Sequence, residues 1–274
     1  MTPHRRRRAS VVAVIAAVAM LATACQIDVA ATTLHVVQAQ EDGFLQNGDE
    51  PYVAVIQWRV IPGEAGSTQV SFLGNLAELG SGMDDGDSAT IPASMGAASF
   101  GGVQVSSIQQ VAQGILPELV GTVMVVMESD LTSWGSINGL MNDVEAALDD
   151  ELQAQIEPLT ILDLTNPAIV ADALSTAAAN VEAAVTPGIF DQILLWLGSL
   201  GNPDDLIGVG FTVWIAAGGT LGQFIEASLP AALPANAAGG VWHDDLDPKT
   251  ATLRISGDGA VYDIDIVATN APPS

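Results

Sequence analysis

Basic residues are nearly missing from this chain. Seven lysines and arginines stand against 32 aspartates and glutamates, and four of the seven cluster at Arg5, Arg6, Arg7 and Arg8. From Val60 to Pro248 there is neither lysine nor arginine, yet that stretch holds 24 acids. Binding to nucleic acid requires Lys and Arg to displace counterions from phosphates, and the scattered Arg59, Lys249 and Arg254 cannot form such a surface. Anionic lipid headgroups are disfavoured for the same reason. The partners that fit are neutral or cationic: a divalent cation, a neutral glycan or a basic protein surface. The carboxylates cannot be neutralised by basic side chains, so they must face water, hold metal or be protonated.

Cysteine, histidine and aromatic residues are scarce as well. A single cysteine, Cys25, excludes an intramolecular disulfide. Beyond the leader the only histidines are His35 and His243, too few soft ligands for a zinc site. There is no Gly-x-Ser-x-Gly elbow, and a Ser/His/Asp triad through His243 needs a serine that the sequence does not nominate. The glycine-rich Ala217 to Gly222 segment lacks the lysine of a phosphate-binding loop. Aromatics make up 5% of residues, and the five tryptophans are dispersed, a poor base for sugar stacking.

What is present begins with an export leader. Arg5 to Arg8, the apolar run Val11 to Leu21, and Ala22-Thr23-Ala24 give the three parts of a secretory signal over residues 1–24. The apolar run is too short to span a bilayer as a helix. Cys25 follows the cleavage site at once, an arrangement that resembles a bacterial lipobox, whose cysteine carries the lipid. An ordinary cleaved signal fits equally, and both readings stand. The mature chain is expected outside the cytoplasm, at the cell surface or beyond, with membrane contact only through a lipid on Cys25.

Periodicity divides the rest into three parts, 25–101, 102–203 and 204–274, expected to form one domain. The first reads as strands, the strongest being Tyr52 to Ile61, with a turn at Pro62-Gly63. In the second, apolar residues from Ile137 through Met141, Val144, Leu148 and Leu152 to Ile156 recur at helical steps. Asn166-Pro167 and Thr186-Pro187 read as the starts of two further helices. Residues 106–130 stay open between helix and strand. The third part returns to strands: Leu206 to Ile215, then Thr250 to Ser256 joined through Gly257-Asp-Gly259 to Ala260 to Val267. In that last strand Tyr262, Ile264 and Ile266 share one face, while Asp263 and Asp265 share the other. Ala231 to Gly240 reads as a surface linker. The expected class is α+β: an antiparallel sheet or sandwich formed by N- and C-terminal strands, with a long helical insertion.

Acidic clusters fall in turns. Asp49-Glu50, Asp84-Asp85-Asp87 and Asp204-Asp205 are the candidate metal ligands, and calcium is the candidate ion because it takes six to eight oxygens from such loops. None completes an EF-hand. Trp242, His243, Asp244 and Asp245 are the candidate ligand-binding group, with Trp242 expected to be an exposed aromatic among polar residues. The Gly48-Asp-Glu-Pro-Tyr52 segment, with Asp204-Asp-Leu-Ile-Gly208 and Gly257-Asp-Gly-Ala-Val-Tyr262, is similar to segments of uncharacterised secreted bacterial proteins with β-sandwich-like domains. That resemblance implies an extracytoplasmic module associated with calcium, and no reaction. The functional expectation is an exported binding or structural protein. The alternative is an extracytoplasmic hydrolase working through paired carboxylates.

Overall fold

In the strand Ala260–Ala271 (β10), Tyr262, Ile264 and Ile266 are fully buried while Asp263 and Asp265 lie on the opposite, wetter face. This is the alternation expected of a strand with one face on a core. The computed structural model describes residues 24–39, 49–74, 76–128, 134–164, 206–227, 229–243, 247–257 and 259–271, and the separate positions 166, 168, 169, 172 and 176.

The described residues form two five-stranded sheets. In the first, β10 lies between Ala24–Gln38 (β1) and Lys249–Gly257 (β9), both antiparallel to it. The expected hairpin at Gly257 to Gly259 joins β9 to β10. On its other side β1 pairs with two strands end to end, Ser88–Thr90 (β4) and Ala97–Gln104 (β5). The second sheet runs Gln69–Phe72 (β3), Pro51–Val60 (β2), Leu119–Glu128 (β6), Leu206–Ala216 (β7) and Ala237–Trp242 (β8). All its pairs are antiparallel except β7 with β8. A parallel pair needs a crossover, here supplied by the short helices Gly219–Glu226 and Leu229–Ala232.

The sheets pack face to face as a sandwich. Ile27, Leu34, Leu253, Ile255, Tyr262 and Ile264 of the first meet Val53, Val55, Met124, Val126, Trp214 and Trp242 of the second. The second sheet has a further layer on its other face, where Tyr52, Ile56, Trp58, Val125 and Phe211 are covered by Met141, Val144, Leu148 and Leu152 of the helix Trp134–Gln155. Each such side chain contributes roughly 1.5–3 kcal/mol of burial free energy. Packing and hydrogen bonds must therefore do what ion pairs cannot do in a stretch without bases.

The double covering settles the open segment 106–130. All ten residues of β6 are buried, so this strand shows no alternation, and an apolar run without alternation reads equally as a buried helix. Upstream of it lies only the one-turn helix Ile108–Val111, closed by a Ser107–Gln110 capping box. The long helical insertion is accordingly not seen among the described residues. Span 102–203 holds the central strand of the second sheet, the helix Trp134–Gln155 and a turn at Ile161–Leu164. Of the helix expected from Asn166, the described positions 168, 169, 172 and 176 are helical, and the Asn166 side-chain oxygen accepts the Ala168 N–H at 3.2 Å. The helix expected from Thr186 lies outside the described residues. Ala231 to Gly240 is no linker either, since Ala237 to Gly240 pair with β7 in the edge strand β8.

Gly121 permits a close strand approach in the second sheet. A Cβ there would sit 1.9 Å from the Thr212 carbonyl oxygen and 2.7 Å from the Trp58 ring. Beside it, the buried Thr122 N–H and hydroxyl meet the Thr212 hydroxyl, both at 2.8 Å, so neither buried threonine hydroxyl is left unsatisfied.

Candidate functional site

The acidic residues named as candidate metal ligands go to different uses. Asp49 is fully buried, bridges backbone to backbone with Met83, and accepts a hydrogen bond from the Tyr262 hydroxyl. Burial first, and then the hydrogen bond to and charge of Asp49, push the Tyr262 phenol far above its usual range. Asp49 is therefore an anchor between the sheets. Glu50 is half-buried at the entrance to β2. The bridge to Met83 brings the Asp49 and Asp84 to Asp87 segments together, but through backbone rather than carboxylates. Asp85 accepts the Ala39 N–H at 2.7 Å and Asp87 accepts the Asp84 N–H at 2.9 Å. No three His, Cys, Asp or Glu side chains converge into a metal-holding group among the described residues. Asp204 and Asp205 lie outside them.

The group around Trp242 departs from expectation. Trp242 is fully buried between the sheets, because β8 turns its even-numbered residues inward, and it is not an exposed binding aromatic. His243, next in chain, pairs at 3.0 Å with Glu226. Asp244 and Asp245 lie outside the described residues. Cys25 sits half-buried in β1, its Sγ 3.5 Å from the Val103 carbonyl.

A cleft of about 340 Å³ opens where the edge of the second sheet faces β5. It is lined by Gln57 and Arg59 of β2, Gln69 and Ser71 of β3, and Ser99 and Phe100 of β5. The Arg59 guanidinium donates to the carbonyls of Gly101 (3.0 Å) and Gly102 (3.3 Å) and lies 2.7 Å from Glu118. Gly102 has φ +71°, a left-handed conformation that glycine adopts without steric cost. Burial raises the Glu118 carboxyl despite Arg59. One positive and one negative group thus compensate each other, and the remaining polar lining is amide and hydroxyl.

A second cleft, about 520 Å³, flanks β3 on its other side, between that strand and Asn142, Glu145, Ala146 and Asp149 of the long helix. Here two glutamates take the place of a neighbouring strand. Glu145 accepts the Phe72 N–H at 3.1 Å. Glu157 accepts the Gly66 N–H (3.1 Å), the Thr68 N–H (3.0 Å) and the Thr68 hydroxyl (2.6 Å). Outward N–H groups at a sheet edge invite pairing with other chains, and acidic caps block it. The hydrogen bonds, Thr68 foremost, hold the Glu157 carboxyl below its usual range. Partial burial, with repulsion from Asp150, Glu157 and Glu145, raises Asp149.

On the outer face of the first sheet, His35 joins two residues that the sequence gives no reason to associate. Its Nδ1 lies 2.8 Å from the Ser88 hydroxyl and its Nε2 lies 2.9 Å from Asp265. Ser88 is 53 positions away and Asp265 is 230. Only the pairing of β4, β1 and β10 sets them side by side, and no local motif announces them. No helix of the described residues is long and apolar enough to cross a membrane. No family model, curated protein or solved structure matches the chain.

Proposed function

We propose that the chain is an exported protein that works by binding, and that the cleft between β3 and β5 holds a neutral, hydroxyl-rich ligand the size of a short glycan segment. The observation that carries this is the lining itself: Gln57, Gln69, Ser71 and Ser99 offer donors and acceptors, and the cleft's arginine is compensated by Glu118. The cleft's volume falls within the range of about 300–1,000 Å³ that small-molecule sites occupy, where a few placed polar groups fix a ligand's orientation. Strong net acidity favours neutral over anionic ligands. Titration calorimetry against a panel of neutral oligosaccharides tests it. Binding should be lost in Gln57→Ala and Gln69→Ala, with melting unchanged. Binding that survives both substitutions refutes the assignment to this cleft.

Export through residues 1–24, and lipid attachment at Cys25, belong to the same proposal. The intact mass of the exported protein distinguishes a diacylglycerol-bearing Cys25 from an unmodified one. Calcium ordering of the Asp84 to Asp87 loop is the remaining part, supported by three exposed carboxylates around Gly86. A Ca²⁺-specific rise in melting temperature, above that with Mg²⁺ at matched ionic strength, is expected if those carboxylates close on the ion. Equal responses refute it.

A second reading, a hydrolase using paired carboxylates, draws on Glu145 and Asp149, which line the larger cleft and of which Asp149 is shifted toward the protonated form. Its signature would be hydrolysis of a neutral oligosaccharide that either Glu145→Gln or Asp149→Asn abolishes.

A further inference from the structure

The outer face of the first sheet carries a hydroxyl, an imidazole and a carboxylate in one hydrogen-bonded line. We propose that Ser88, His35 and Asp265 form a nucleophilic relay that transfers the acyl group of neutral or cationic esters to Ser88 and then to water.

Chemistry assigns the protons. Asp265 as a carboxylate only accepts, so the His35 nitrogen facing it, Nε2, carries the proton. Nδ1 is then the acceptor and Ser88 must donate to it. That is the arrangement in which a serine hydroxyl can lose its proton as it attacks. Either ring nitrogen can serve as the base, provided the other is held.

The sheet holds both ends of the line. Ser88 stands opposite His35 in the β1–β4 register, and Thr33 stands opposite Asp265 in the β1–β10 register. Asp265 is itself fixed, its second oxygen accepting from the Thr252 hydroxyl at 3.3 Å and its backbone carbonyl from Thr32 at 3.2 Å. Asp263, across from His35, is tied to Arg254 by two bonds of 2.7 Å.

Ser88 is exposed and lies on an edge strand. The Ile91 N–H bonds Thr32 and the Val36 N–H bonds Asp87. In antiparallel alternation the Ser88 and Thr90 N–H groups therefore point away from β1. Of these two, the Ser88 N–H, beside the hydroxyl, would receive the oxyanion.

The steps balance as follows. The Ser88 oxygen bonds to the acyl carbon while His35 Nδ1 takes the hydroxyl proton. The tetrahedral adduct collapses, the carbon–alkoxy bond breaks, and His35 returns that proton to the departing alcohol. Water then attacks acyl-Ser88 with His35 again as base, releasing a carboxylic acid and restoring the hydroxyl. The exposed Asp84, Asp85 and Asp87 just before Ser88 make the approach acidic, which repels anionic substrates.

The test uses the full mature protein, a fluorophosphonate probe and p-nitrophenyl butyrate. One phosphonyl group per chain is expected on the peptide carrying Ser88, mapped with acid-specific proteases. It should be absent in Ser88→Ala and slower by about 100-fold or more in His35→Gln, with melting temperatures of both variants close to that of the parent. Ester hydrolysis should fall in parallel, and Asp265→Asn should move the pH profile of the residual rate. No label, label on another residue, or an equal rate in His35→Gln overturns the relay.

Discussion

Replacing Glu157 removes the acceptor that holds the turn before β3 to the end of the long helix. The residue is 8% exposed, and its carboxylate receives the Gly66 and Thr68 N–H groups and the Thr68 hydroxyl. A hydrogen bond to a charged group is worth about 1.5–3 kcal/mol net, but the three are not additive. Gly66 is exposed and Thr68 half-buried, so water reaches the abandoned donors and the lower part of the range applies. Glu157→Ala should therefore cost about 2–3 kcal/mol, and Glu157→Gln, which keeps one acceptor oxygen, roughly half that. At about 2–4 °C per kcal/mol for a chain of this size, the alanine variant should melt about 4–12 °C lower at pH 7. The pH dependence gives an independent check. The folded-state carboxyl lies below its usual value, so its stabilisation is present above the unfolded value of about 4.5 and is lost as pH falls through the folded one. Calorimetric melting from pH 7 to pH 3 should show the gap between parent and Glu157→Gln closing with acid. A gap that stays constant, or an alanine variant within about 0.5 kcal/mol of the parent, refutes the reasoning.

Tyr262→Phe should destabilise by about 1–3 kcal/mol in urea titrations, because it leaves the fully buried Asp49 without that donor. The raised phenol also predicts alkaline behaviour: stability is intact below the ordinary tyrosine value of about 10 and declines above it. Ultraviolet titration should show this phenolate forming only on unfolding, and reversible ionisation near pH 10 in the folded state would contradict it. Gly121→Ala, whose Cβ meets backbone oxygen at 1.9 Å, should cost about 2–3 kcal/mol or more. Gly101→Ala, with nothing within 4 Å, should change stability by no more than about 0.5 kcal/mol, and similar melting of the two variants would contradict the packing.

Where one face meets water, local pattern suffices to read the fold. The β9–β10 hairpin, the inward face of Tyr262, Ile264 and Ile266, and the helical stripe through Met141, Val144, Leu148 and Leu152 were all legible for that reason. Where both faces are buried the pattern vanishes, and β6 was ambiguous although it is the central strand of its sheet. Trp242 misled for a related reason: a polar neighbourhood in sequence says nothing about which side of an edge strand a residue takes. The uses of the acids were likewise hidden, since Asp49 meets Tyr262 across 213 positions and Glu157 meets Thr68 across 89.

Sequence by itself determined that this protein carries its acids without bases to neutralise them. That sets the expectation of neutral or cationic partners and leaves cohesion mainly to packing and hydrogen bonds, because charge count does not depend on shape. Only the tertiary structure decided which carboxylates are anchors, which cap a sheet edge, and which one holds His35 against Ser88. Those roles depend on distances of about 3 Å between residues far apart in the chain, and only the pairing of strands creates them.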